Sequence, residues 1–126
     1  MEFKITYYEF LQCYYVRSSG KTRIPEVDTM FKGILKRDDW KSGSGIIYDS
    51  TNEDNSHVSK DDIDVMVDFS IFGSRELQGC KIAFVMENDL AYGMTRMLES
   101  LTIGKLLFQQ KVFRTVEEAL EWISDK

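Results

Sequence analysis

Residues 81–123, KIAFVMENDLAYGMTRMLESLTIGKLLFQQKVFRTVEEALEWI, decide the fold class. They read as strand, helix, strand, helix. Ile82-Ala83-Phe84-Val85-Met86 is an unbroken apolar run, bounded by Gly79 before it and by Glu87-Asn88-Asp89 after it, the pattern of a strand buried on both faces. From Asn88 the period becomes helical. Leu90, Met94, Met97, Leu98 and Leu101 recur at i, i+4, i+7, i+8 and i+11, which predicts one core-facing stripe. Gly104 is placed to close that helix in the left-handed conformation. Phe108–Phe113 alternates as a strand does, and Thr115-Val116-Glu117-Glu118 has capping-box form ahead of a last helix.

Working outward, Phe3, Ile5 and Tyr7 alternate with Lys4 and Thr6, a half-buried strand. A tight connection near Glu9-Phe10 leads to a second strand over Leu11–Ser18, which makes an antiparallel hairpin, with Gly20 and Lys21 as punctuation. Pro25 suits the first turn of a helix, and Val27, Met30, Phe31, Ile34 and Leu35 give that helix its apolar face. Gly33 either weakens it or permits close packing on a strand. Arg37–Gly45 reads as a loop and Ile46–Asp49 as a short buried strand. The very polar Ser50–His57 (STNEDNSH) reads as an exposed loop.

A helix over about 60–75 follows, capped by Ser59, with Asp61 and Asp62 favouring its positive start. Its apolar residues fall into two sets: Ile63, Met66, Val67 and Ile71 on one face, Val65, Phe69 and Phe72 roughly opposite. A helix apolar on two sides is buried on two sides, within the domain or against a partner. The whole order is β-β-α-β-α-β-α-β-α, a single domain over 1–126. Such alternation after a hairpin predicts an α/β fold with a mainly parallel, five-stranded mixed sheet and four helices. Flavodoxin-like and ferredoxin-like arrangements are the alternatives.

Composition narrows the function classes. A chain of 126 residues can bury a core without metals or disulfides, and 43% hydrophobic with 29% charged residues is ordinary for a globular domain. The net charge of −5 argues against nucleic-acid phosphates and anionic membrane surfaces. No run approaches the roughly 20 apolar residues of a membrane helix, and MEFKITYYEF lacks a signal-peptide layout, so the expected location is cytoplasmic. Cys13 and Cys80 are expected as buried thiols rather than a disulfide. The lone histidine, His57, near Glu53, Asp54 and Asp61, is expected in a solvated acidic loop, not a metal site. No nucleophile elbow, Walker A sequence or dinucleotide-binding glycine pattern occurs, so no cofactor is expected; an enzyme would have to use Cys80 or Asp49.

KIAFVMENDLAYGMTRMLESL, the later VFRTVEEALEWI, and a third strand ending Tyr48-Asp49 resemble the small bacterial SpoIIAA-like proteins of the STAS/SEC14 type. In that group a strand leads to a helix of the form D-L-x-x-G-x-x-R-M/Y, matched here by Asp89-Leu90, Gly93 and Arg96-Met97. A strand ending V-F and a short E-E-A-x-x-W helix close the chain, matched by Val112-Phe113, Glu117-Glu118-Ala119 and Trp122. The resemblance is specific over the last third and topological before it. It implies a STAS-like sheet and, for most of the group, no assigned reaction. In the anti-sigma-factor antagonists of this fold, a serine in a D-S-S-G turn after the third strand is phosphorylated. Asp49-Ser50-Thr51-Asn52 stands at that place, which makes Ser50 and Thr51 the phosphorylation candidates; a threonine replaces the second serine and the glycine is missing.

Two further groups are candidate contact sites. Tyr92, Arg96 and Glu99 project from the third helix away from its stripe, as a patch for a partner or an anion or as a plain surface pair. Val65, Phe69 and Phe72 would form an aromatic patch if the chain does not cover them. The function expected is a non-enzymatic regulatory or interaction module, its partner another protein or a second copy in a homodimer. The alternative is a binder of a small apolar or lipid-like ligand, and a small thiol enzyme comes third.

Overall fold

Strand and helix alternate along this chain so regularly that sequence neighbours become neighbours in space. The computed structural model describes residues 1–125. β1 (Glu2–Tyr8) passes through a single 3-10 turn at Glu9–Leu11 into β2 (Cys13–Lys21). Then come α1 (Ile24–Leu35), β3 (Gly45–Asp54), α2 (Lys60–Gly73), β4 (Lys81–Val85), α3 (Asp89–Thr102), β5 (Gln109–Phe113) and α4 (Val116–Ser124). The five strands lie in the order β1-β2-β3-β4-β5. β1 is antiparallel to β2, and every later pair is parallel, so the expected mixed sheet with four helices is what the chain builds.

This order decides where the helices go. Right-handed crossovers between successive neighbouring strands deliver all their helices to one face. There, Val27, Met30 and Ile34 of α1, Ile63 of α2 and Leu98 of α3 pack over Tyr14, Val16, Ile46, Tyr48, Ile82 and Phe84. Alternate strand residues point the other way: Cys13, Ile47, Ala83 and Val85 meet Ala119 of α4, with Trp122 and Ile123 beside them. α4 lies so close that a Cβ added at Gly45 would sit 2.8 Å from Ile123 Cγ2. The two cysteines are free and buried, Cys13 in the smaller core and Cys80 in the larger, as the chain pattern predicts.

The structure departs from the sequence reading at several places. β3 continues through Ser50–Asp54, five of the eight residues expected as loop, because Asn52, Glu53 and Asp54 pair with Ser19, Gly20 and Lys21 past an irregularity in β2. The core stripe of α3 is also displaced by about one position. Ala91, Thr95, Leu98 and Thr102 are buried, while Leu90 is 51% exposed. Threonine can face inward here because Thr95 Oγ1 donates to Ala91 O at 2.8 Å and Thr102 Oγ1 to Leu98 O at 2.9 Å, leaving neither hydroxyl unsatisfied. Gly104, at φ +75°, ends α3 as expected. Gly33 approaches nothing, since an added Cβ would meet no atom within 4 Å.

Candidate functional site

α2 begins on a full capping box, with the Ser59 hydroxyl accepting from Asp62 N and the Asp62 carboxylate accepting from Ser59 N at 2.9 Å. Beyond that start the helix commits little to the core: Ile63 alone of its residues is buried. Met66 and Val67 are half-buried against the main cluster, but Ile71, expected beside them, has turned out to 42% exposure. On the other side Phe72 is 86% exposed and Val65 41% exposed, while Phe69 is half-buried. Among the described residues nothing covers Phe72, and Val65 is covered only in part.

Phe69 and Phe72 belong to a cleft of about 280 Å³ between α1 and α2. Phe31 and Leu35 form the α1 wall, Met66, Phe69 and Phe72 the α2 wall, and Ile82 and Phe84 of β4 the floor. Charge is confined to the rim, where Lys32 Nζ pairs with Asp28 at 2.9 Å and Glu76 stands opposite. An apolar hollow floored by the sheet and rimmed by charge suits an apolar guest.

The other sequence candidates separate. Ser50 is buried, and its hydroxyl donates to Val85 O at 2.7 Å; Thr51 is exposed, and its hydroxyl donates to Asp49 Oδ1 at 2.8 Å. Asp49 is itself 3% exposed, its carboxylate also accepting from Thr51 N at 3.0 Å and from the Tyr15 hydroxyl. Burial, together with that carboxylate, pushes the Tyr15 hydroxyl up to about 12. Arg96 is exposed and only 4.0 Å from Glu99, and it does not lie over Tyr92. Arg114 does, at 4.1 Å from the ring centroid, while bonding Asp89 at 2.7 Å. Tyr92 is thus paired with Arg114 rather than with Arg96.

Burial pushes the Cys13 thiol up to about 11 and raises that of Cys80 also, whereas a nucleophile needs a lowered thiol. His57 lies with Nε2 2.8 Å from Thr22 O. Among the described residues, no three of the His, Cys, Asp and Glu side chains gather as metal ligands. No helix among them is long and apolar enough to cross a membrane.

One polar group was not foreseen from sequence. At the carboxyl ends of β2 and β3, the Glu53 carboxylate accepts from Thr22 Oγ1 at 2.6 Å and from the Ser18 hydroxyl. The Tyr48 hydroxyl lies alongside, 2% exposed as a residue, yet completes no hydrogen bond. Burial and the neighbouring Glu53 charge raise its pKa. The missed signal is the length of β3: once that strand reaches Asp54, Glu53 sits opposite Gly20, within reach of the buried Ser18 and Thr22.

No family model matches the chain, and no curated protein matches it. Among solved structures, it is similar to an uncharacterized protein of the DUF3478 family with a SpoIIAA-like fold from Shewanella loihica PV-4. The two align with a TM-score of 0.58 over 97% of this chain and 92% of that one, at 16% sequence identity. The SpoIIAA-like fold that the C-terminal third resembles is thus the fold of the molecule. At that identity the likeness establishes the architecture and carries no activity.

Proposed function

We propose that the protein is a non-enzymatic interaction module of the SpoIIAA-like type, docking a protein partner, or a second copy of itself, through the outer face of α2. The exposure of Phe72 at 86% carries this reading. Leaving such a side chain in water forgoes about 1.5–3 kcal/mol that burial would supply, and partner surfaces are where proteins keep such groups. Val65 extends the face and Phe69 links it to the cleft. Native mass spectrometry tests the homomeric case: a dimer that Phe72→Asp dissociates into a folded monomer, its circular dichroism unchanged, supports it. A dimer indifferent to Phe72→Asp removes α2 from the contact.

A second reading rests on the cleft itself, whose depth to Ile82 and Phe84 favours a small apolar or lipid-like guest. A reproducible extra mass on the monomer, lost when Met66→Trp fills the hollow, is its expected sign. Any phosphoswitch falls to Thr51 rather than Ser50, because only the former hydroxyl is exposed. A phosphate there would displace Thr51 from Asp49 by like-charge repulsion. Phosphopeptide mapping after kinase treatment, finding modification at Ser50 in the folded protein, would overturn that assignment.

A further inference from the structure

A second, smaller pocket of about 60 Å³ lies under α1, α2 and α3 at the carboxyl ends of β3 and β4. Its polar end holds the Glu53 carboxylate and the unpartnered, buried Tyr48 hydroxyl. Thr22, Asn55 and Thr95 also line it, and the remainder is apolar and soft: Met66, Met86 and Met94 contribute thioethers, with Phe84, Leu90 and Leu98 beside them. No lysine, arginine or histidine lines it, and among the described residues Glu53 enters no ion pair. The pocket therefore has at one end a carboxylate held by two hydroxyl donors but by no cation, beside a phenol oxygen without a partner.

We propose that this pocket binds a short-chain alkylammonium ion, with the ammonium held by Glu53 and Tyr48 and the alkyl chain among the methionines. The chemistry selects the class. An ammonium offers three N–H donors, enough for the carboxylate and for a lone pair of the phenol oxygen. Its polarised α-methylene suits thioether and aromatic neighbours. A carboxylate ligand would meet Glu53 as a like charge, and an alcohol would leave that charge uncompensated. Size limits the chain. The space exceeds the ~15 Å³ one water needs and falls short of the ~150 Å³ void that accepts benzene, so about two to four carbons fit. The site does not depend on the α2 docking surface, and either can stand without the other.

The test is a titration of ¹³C-methyl-methionine protein with n-propylammonium chloride, against n-propanol, sodium propanoate and sodium chloride. Saturable shifts of the Met66, Met86 and Met94 methyls are expected, with Met1 and Met97 as references outside the pocket. For a ligand this small, Kd should be on the order of 1–10 mM. Glu53→Gln should weaken binding at least tenfold, and Tyr48→Phe, which removes only the idle hydroxyl, severalfold. The proposal is overturned if no methyl saturates below 100 mM (roughly tenfold above that range), if propanol shifts the same methyls as strongly, or if Glu53→Gln binds unchanged. Should Glu53→Gln fail to fold, Tyr48→Phe and the ligand series decide the matter.

Discussion

α2 and α3 are both 14 residues long, lie side by side on the same face of the sheet, and both start on a side-chain cap. Their interiors differ. α3 turns Ala91, Thr95, Leu98 and Thr102 inward, a continuous buried stripe, whereas α2 buries Ile63 and leaves Val65, Ile71 and Phe72 to solvent. The hydrophobic effect alone would have the more apolar helix bury more. That it buries less teaches that apolar content and core membership are separate properties: α3 is held by its face, while α2 relies more on its cap and keeps apolar area in reserve.

Side-chain truncation is the sharpest way to break this contrast. Leu98→Ala should cost about 2–5 kcal/mol in urea unfolding, because it opens a cavity in a packed core. Phe72→Ala should stay within about 0.5 kcal/mol, as surface changes do. Equal costs would mean that the α2 face is buried after all. A chemical measure of burial comes next. The Cys13 thiol, held up to about 11 from 9.0, is favoured in its neutral form by the fold. Its contribution is complete below pH 9 and is lost as pH rises through about 11, a fall worth roughly 2–3 kcal/mol at most. Cys13→Ser should flatten that alkaline decline in thermal melts; an unchanged decline would assign it elsewhere.

Caps give a smaller effect and sharpen the comparison. Ser59→Ala should destabilise by ~1 kcal/mol and raise amide exchange selectively along α2, where few buried contacts compensate. Exchange rising throughout the molecule would show α2 to be as deeply coupled as α3. The smallest effects come from two helical glycines. Neither Gly33 in α1 nor Gly93 in α3 has an atom within 4 Å of an added Cβ. Gly33→Ala and Gly93→Ala should each stabilise by about 0.5–1 kcal/mol in thermal melts. A loss at Gly93 would point to backbone approach by a partner.

Much of this architecture was legible in the residues. The run Ile82–Val85, the Thr115 cap and the placement of Gly104 carry strong local signals, and all hold in the fold. The misses share a physical cause. Polar residues become interior when a bond satisfies them, and hydropathy does not see the bond. Thr95 and Thr102 vanish into the core by donating to the preceding turn, and Ser50 does so by donating to Val85 across the sheet. The same blindness shortened β3 and hid Glu53 beside Tyr48, since strand pairing with Gly20 and Lys21 leaves no apolar trace. For the candidate contact face the pattern was visible, because Val65, Phe69 and Phe72 recur at helical spacing. Whether they were covered depended on tertiary packing.

The sheet order β1-β2-β3-β4-β5 has a consequence for how the molecule is made. Every strand pairs with the one synthesised just before it, so no gap is left open for a later strand to enter. A chain leaving the ribosome can extend its sheet from the hairpin onward, each βα unit docking on a finished edge. α4 comes last in that sequence, and until it docks, Ile47, Ala83 and Val85 have no cover. The vulnerable interval in biogenesis is therefore the one between the pairing of β5 and the docking of α4, when an assembled sheet still shows one bare oily side.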